Sequence, residues 1–163
     1  MEISFEPITN HNISEALEIY NWYVLNSTAT FHIEAIEADE LKKMISIGHP
    51  KYQSFVIIEA DKIIGFCYLS QFRYKEAYDR SAEVTLYFNP NHTGKGYGKT
   101  VLLFLENLAK QHQIVNLIGV ITEENNNSIK LFEKCGFFKA AHLKKVGVKF
   151  NKALDVTWYQ KEI

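Results

Sequence analysis

The stretch of this chain richest in chemistry is Asn91-His92-Thr93-Gly94-Lys95-Gly96-Tyr97-Gly98-Lys99-Thr100. It follows a strand-like run and opens a helical one. Alternating glycines let backbone N–H groups turn inward without Cβ clashes. The positive end of the helix that follows adds to the attraction for anions. The combination predicts a cradle for phosphate or pyrophosphate oxygens over Thr93, Gly94, Lys95, Gly96, Tyr97, Gly98 and Lys99. A plain turn would need neither three alternating glycines nor two lysines.

A second signal lies upstream. The chain has only two arginines, Arg73 and Arg80, both in the 72–82 connection that leads to Glu83. Guanidinium offers a planar fork suited to a carboxylate, phosphinate or similar anion. Two solvated loop charges are the plainer alternative. The six histidines show no metal-ligand spacing, so no metal is expected, and His112 reads as a core residue on a helix face. No G-x-S-x-G and no Cys-His constellation suggests a hydrolase.

One competing chemistry is a nucleotide P-loop. Thr93–Thr100 fits G-x-x-x-x-G-K-[ST] except at its first position, so Lys99 and Thr100 would hold phosphate and Mg²⁺. The context opposes it. The next strand ends Ile121-Thr122-Glu123-Glu124, with no Asp for the metal, and the preceding strands read as a hairpin.

The elements that must position these residues follow from periodicity. Residues 3–8 read as a strand and 13–26 as a helix, with Ile13, Leu17, Tyr20 and Val24 at helical spacing. A second helix spans 39–47, stopped by Gly48 and Pro50. Strands 53–60 and 62–72 form a hairpin about Asp61. Strand 82–89 ends at Pro90. A helix over 97–112 has an apolar face, and 115–122 is a strand. Asn125 to Ser128 opens another helix, ended by Gly136, and two strands follow at 138–148 and 153–160. The order is β-α-α-β-β-β-α-β-α-β-β. It predicts an α/β fold with a mixed, mostly antiparallel sheet and helices on both faces, in which the 82–122 unit makes a parallel crossover.

Length and composition agree. The chain has 163 residues, 47% hydrophobic and 23% charged, which predicts a single globular domain over 1–163. Eighteen Lys+Arg against nineteen Asp+Glu give a net charge of −1, so neither nucleic acid nor an anionic membrane is expected as a partner. Cys67 and Cys135 lie in apolar segments and read as buried free thiols. There is no signal-peptide pattern and no run long enough to span a membrane, so a cytoplasmic protein is expected.

The glycine loop, the strand before it and the helix after it resemble the GNAT N-acetyltransferase superfamily. The acetyl-CoA loop of that superfamily reads Q/R-x-x-G-x-G/A, and Thr93 to Gly98 matches except at the first position. Its later Asn-x-x-Ser, with a helix ending in Gly-Phe, is seen as Asn125–Ser128 and Gly136-Phe137. The resemblance narrows to the phosphinothricin acetyltransferase-like branch. Ile19-Tyr20-Asn21, Val24, Ser27 and Ala29-Thr30-Phe31 match one motif of that branch. Ala77-Tyr78 with Glu83, Gly147-Val148-Lys149, and Asp155-Val156-Thr157-Trp158-Tyr159-Gln160 match the others.

The resemblance implies transfer of an acetyl group from acetyl-CoA to the primary amine of a small acceptor, such as phosphinothricin, methionine sulfoximine or an L-amino acid. It implies Glu83 as general base and the backbone of Leu86, Tyr87 and Phe88 as the contact for the oxyanion and the pantetheine amides. Asn125 and Ser128 would contact the cofactor, although Asn125 also reads as a helix N-cap. Phe31, Tyr78, Arg73 and Arg80 would surround the acceptor. A homodimer is implied as well. Two positions depart from relatives. Phe132 stands where many have a Tyr general acid, and Leu154 where some have a His. The missing Tyr leaves a non-catalytic acyl-CoA sensor as a further reading.

Overall fold

Seven strands and four α-helices make up the computed structural model, which describes residues 2–163; the strand Ser81–Phe88 alternates in burial, whereas Lys62–Gln71 holds a continuous buried run. They follow as β1 (Ser4–Pro7), α1 (Ile13–Asn26), α2 (Ala38–Met44), β2 (Ser54–Glu59), β3 (Lys62–Gln71), β4 (Ser81–Phe88), α3 (Tyr97–Gln111), β5 (Asn116–Thr122), α4 (Asn126–Lys134), β6 (Phe138–Lys149) and β7 (Lys152–Glu162). The order is the expected one. Helix α2 stops at Met44 rather than Ile47, because the chain leaves it through Ser46 and Gly48, both at positive φ.

The strands form one sheet in the order β1-β2-β3-β4-β5-β7-β6. Every neighbouring pair is antiparallel except β4–β5. The β2–β3 hairpin turns through Ala60 and Asp61, at φ 47° and 61°, the left-handed pair that matches strand twist. Helices α3 and α4 cover one face, packing Val101, Leu105 and Phe132 onto Leu69, Val84 and Leu117. Helices α1 and α2 cover the other, packing Ile19, Tyr20 and Leu41 onto Val56, Phe66 and Tyr68.

One feature of the sheet governs the rest. Strands β4 and β5 pair only at Ser81–Asn116, Ala82–Leu117 and Glu83–Ile118. Beyond Glu83 no ladder joins them among the described residues, so the sheet opens between the second half of β4 and that of β5. The backbone groups of β4 on that side are left free for another partner.

Two expectations need correction. Cys67 is buried, but Cys135 is only partly so, because it caps the end of α4 instead of lying within its apolar face. His112 is not a core residue either. It is the C-cap of α3 and is only partly buried.

Candidate active site

Glu83 is the third residue of β4 and stands at the last rung before the sheet opens. Its neighbours Ala82 and Val84 point into the α3–α4 core, so alternation sends Glu83 to the opposite face. Its side chain is 29% exposed, and Arg73 Nη1 lies 3.8 Å from its Oε1. Burial pushes the Glu83 carboxyl above its ordinary pKa, and the Arg73 charge opposes that shift in part. A half-shielded carboxylate with a raised pKa is suited to taking a proton near neutral pH.

Arg73 is itself held. Its guanidinium lies over the rings of Phe72 at 4.5 Å and Trp158 at 5.2 Å, and donates to the Phe72 carbonyl at 2.8 Å. Such stacking orients a guanidinium while leaving its edge free to donate. Phe72 stands edge-on to both Tyr78 and Trp158. Val120, in the middle of β5, is 46% exposed. Its neighbours Gly119 and Ile121 face the α3–α4 side, so Val120 faces the Glu83 side. An exposed valine in a central strand marks the floor of an open groove.

The two arginines separate. Arg73 reaches Glu83, whereas Arg80 is exposed and makes no ion pair among the described residues. What Arg80 contributes is its backbone carbonyl, which accepts from the amides of Val115 and Asn116 and seats the start of β5.

The α1–α2 connection passes over the same face. Thr122 Oγ1 donates to the Thr28 carbonyl at 2.6 Å, and Thr28 Oγ1 donates to Glu124 at 2.6 Å. Tyr20 OH meets both Thr30 Oγ1 and His32 Nδ1. The Phe31 ring lies against Gly147 so closely that a Cβ there would come within 2.3 Å of it. Leu154, paired with Gly147, is buried at this point, and an apolar side chain suits that position better than an unpaired imidazole.

At the other end of β4 lies the glycine loop. Gly94 and Gly96 have φ of 75° and 84°, and the space where their Cβ atoms would stand is open. Gly96 is the N-cap of α3, so the first amides of the helix have no intrahelical acceptor. The Lys95 and Tyr97 side chains are both engaged by Glu59. Lys95 Nζ donates to Glu59 Oε2 at 3.1 Å, and the Tyr97 hydroxyl donates to Glu59 Oε1. These bonds hold the Glu59 carboxyl below its usual range. No motif marks Glu59 as the anchor of the loop; a lone acidic residue ending a buried strand is the only signal along the chain. Gly98 has a different role from the other two. A Cβ there would come 2.6 Å from Leu131, so it permits close packing of α3 on α4. Lys99 lines a separate cleft with Glu106, Lys134 and Lys161. Thr93 Oγ1 donates to the Pro90 carbonyl.

Asn125 caps α4, accepting from the Ser128 amide at 3.2 Å, so its plainer reading holds. Phe132 is buried against Gly119, where a Cβ would come within 2.2 Å of the ring, and it brings no hydroxyl to the opening. Leu86 and Phe88 pack on the α3 side, and Tyr87 packs on the α1 side. The backbone of this segment borders the opening. Among the described residues no group of three potential metal ligands is found. Among the described residues no helix is long and apolar enough to cross a membrane. The P-loop alternative fails on architecture, because β4–β5 is the single parallel pair in the sheet among the described residues.

The arrangement is thus a backbone cradle at the open end of β4, a cleft between β4 and β5, and a carboxylate at its closed end. Comparison with known proteins gives the same pattern a family. The acetyltransferase (GNAT) domain family matches residues 6–158. Phosphinothricin N-acetyltransferase of Streptomyces coelicolor is 27% identical over 167 residues, covering 99% of this chain and 97% of that protein. The L-methionine sulfoximine/L-methionine sulfone acetyltransferase of Salmonella typhimurium is 28% identical, covering 90% of this chain and 86% of that one. The crystal structure of a GNAT superfamily phosphinothricin acetyltransferase from Sinorhizobium meliloti in complex with AcCoA superposes with a TM-score of 0.94 at 27% identity, over 100% of this chain and 89% of that one. An opened sheet, a glycine cradle and a family match over nearly the whole chain have one joint consequence: this protein belongs to the GNAT acetyltransferases.

Proposed function

We propose that this acetyltransferase moves the acetyl group of acetyl-CoA to the primary amine of a small amino-acid-like acceptor, with Glu83 as general base. The observation that carries the reading is the placement of Glu83, half-shielded at the closed end of the β4–β5 cleft with Arg73 beside it. The relatives named for phosphinothricin and methionine sulfoximine support the acceptor class.

The chain fits the co-substrate. The free edge of β4 over Leu86, Tyr87 and Phe88 would pair with pantetheine amides as an added strand does. The open amides around Gly94 and Gly96 would take the pyrophosphate. The thioester supplies an activated acetyl group. An ammonium, with a pKa of about 10, has no lone pair with which to attack it. Glu83 takes that proton, directly or through one water, while Arg73 offers its fork to the acceptor's anion. A backbone N–H of β4 faces the oxygen that gains charge. Phe132 donates no proton, and a thiol pKa near 8.5 lets the thiolate leave unaided. A thiol-release screen over amino acids and their analogues, against amines that lack a carboxylate, tests the reading. A clear preference for amines without a carboxylate overturns it.

Two predictions follow from the loop. Gly96→Val puts a β-branched residue at φ 84°, a conformation that costs about 1–3 kcal/mol. The helix start shifts to relieve it, and acetyl-CoA affinity falls at least about tenfold, since the shifted amides lose the charge-assisted bonds. Calorimetric titration with CoA checks this, and unchanged affinity removes the loop from the site. Glu59→Gln loosens Lys95 and Tyr97 together. CoA affinity falls several-fold, while the acceptor KM at saturating acetyl-CoA stays put. Because the folded Glu59 pKa is depressed, its anchoring is complete above the ordinary carboxylate range and is lost as pH falls through the folded value. Wild-type CoA affinity therefore weakens at acid pH, and that acid-dependent loss is smaller in Glu59→Gln. Equal pH dependence in both proteins rejects the anchor.

A further inference from the structure

Lys149, the last residue of β6, is 2% exposed and is the only buried lysine or arginine among the described residues. Its ammonium donates to the Thr30 carbonyl at 2.8 Å. No carboxylate lies within ion-pair distance of it among the described residues. Burial pushes its pKa below the ordinary lysine value. The Phe150 ring, 5.2 Å from the ammonium, is its other neighbour and is also uncharged. A buried ammonium with only neutral partners does not favour folding, and a methionine of similar length would fill the same space without that penalty. Stability alone does not account for this residue.

Its partner points to what does. Thr30 precedes Phe31 in the connection that crosses the Glu83 face. The Thr30 hydroxyl is held by Tyr20, and the adjacent Ala29 carbonyl lies 3.5 Å from the Tyr87 hydroxyl. Phe31 rests on Gly147, two residues before Lys149 on the same strand face. The segment is therefore pinned from α1, from β4 and from β6, and Lys149 supplies the β6 bond.

We propose that Lys149 is a positioning residue that sets acceptor selectivity, by clamping the Thr30 carbonyl and so fixing the Phe31 ring over Gly147 as a wall of the acceptor groove. The inference rests on the reading of that face as the acceptor side. Acetyl-CoA is held at the other end of β4, so its binding is independent of Lys149.

The test compares Lys149→Met, Lys149→Arg, Phe31→Ala and the double variant Lys149→Met/Phe31→Ala, using the best amine that the wild-type enzyme acetylates. Lys149→Met raises the KM for that amine at least about tenfold and leaves the KM for acetyl-CoA within about twofold. Its melting temperature changes little, because removal of a buried charge offsets the loss of the donor to the Thr30 carbonyl. Lys149→Arg recovers most of the loss. In the Phe31→Ala background the further change on adding Lys149→Met is under about twofold, since the residue acts through that ring. Hydrogen exchange of amides 28–32 is faster in Lys149→Met than in wild type. An unchanged amine KM, additive effects in the double variant, or unchanged exchange overturns the proposal. So does a variant with lowered melting temperature and both KM values raised, which marks a merely structural lysine. If the best wild-type amine carries no carboxylate, the proposed acceptor class fails, while these comparisons with that amine still decide the role of Lys149.

Discussion

Glu83→Gln lowers kcat by roughly 10²–10⁴ at neutral pH, the range set by loss of a general base. Glutamine keeps the shape of the side chain and its capacity to accept a hydrogen bond, but it takes no proton. The acceptor amine is almost wholly protonated at pH 7, so the reaction then waits on the small fraction of free amine. The pH profile separates this from misplacement. Wild-type kcat/KM rises with pH through the Glu83 pKa, because the base works only when ionised. Burial has raised that pKa, so the acid limb lies above the range of an ordinary glutamate. The variant loses this limb, and its rate climbs instead towards the pKa of the amine. CoA affinity persists, since the glycine cradle lies at the opposite end of β4. If Glu83→Gln keeps wild-type activity at pH 7, Glu83 is not the base. Tyr78, whose ring borders Phe72, or a water held by strand carbonyls is then the next candidate.

Arg73→Ala raises the acceptor KM roughly 10–100-fold, as loss of a charge-assisted hydrogen-bond pair of about 1.5–3 kcal/mol requires. The KM for acetyl-CoA moves little. A second effect has the opposite chemistry. Removing the guanidinium leaves burial unopposed at Glu83, so the acid limb of kcat/KM shifts to higher pH. Arg73→Lys keeps a charge but loses the planar fork and its stacking on Phe72 and Trp158, and falls between the two. Arg80→Ala leaves both KM values near wild type, because Arg80 acts through its backbone carbonyl. Steady-state kinetics of the three variants decide the matter. An unchanged acceptor KM in Arg73→Ala reduces Arg73 to a surface charge. A large effect in Arg80→Ala means that the acceptor reaches further along the β3–β4 connection than proposed.

These two arginines show where reading the chain stops. Seven positions apart in one connection, they have the same chemistry and are equal candidates. Only the fold distinguishes them. The guanidinium of Arg73 is gripped by Phe72 and by Trp158, a residue 85 positions later that β7 brings to its side. Tyr97 and Lys95 belong to the glycine loop by spacing, yet their side chains serve Glu59, which β2 delivers from 38 and 36 positions upstream.

What the sequence determined by itself is whatever depends on neighbours along the chain. Short apolar or alternating runs bounded by turns make the strands, helical spacing makes α1 and α3, glycines at positive φ open the loop, and Gly136 ends α4. Each is set by local sterics and local hydrogen bonding, so each is written in contiguous residues. The family motifs are legible for the same reason, as short strings in a fixed order. What only the tertiary structure decided is whatever depends on strand register and on burial. The opening of the sheet after Glu83, the exposure of Val120, the anchoring of the loop on Glu59 and the clamp of Lys149 on Thr30 all join segments far apart in the chain. A one-residue slip of any strand would turn those side chains to the other face, and no local pattern records which distant strand lies opposite.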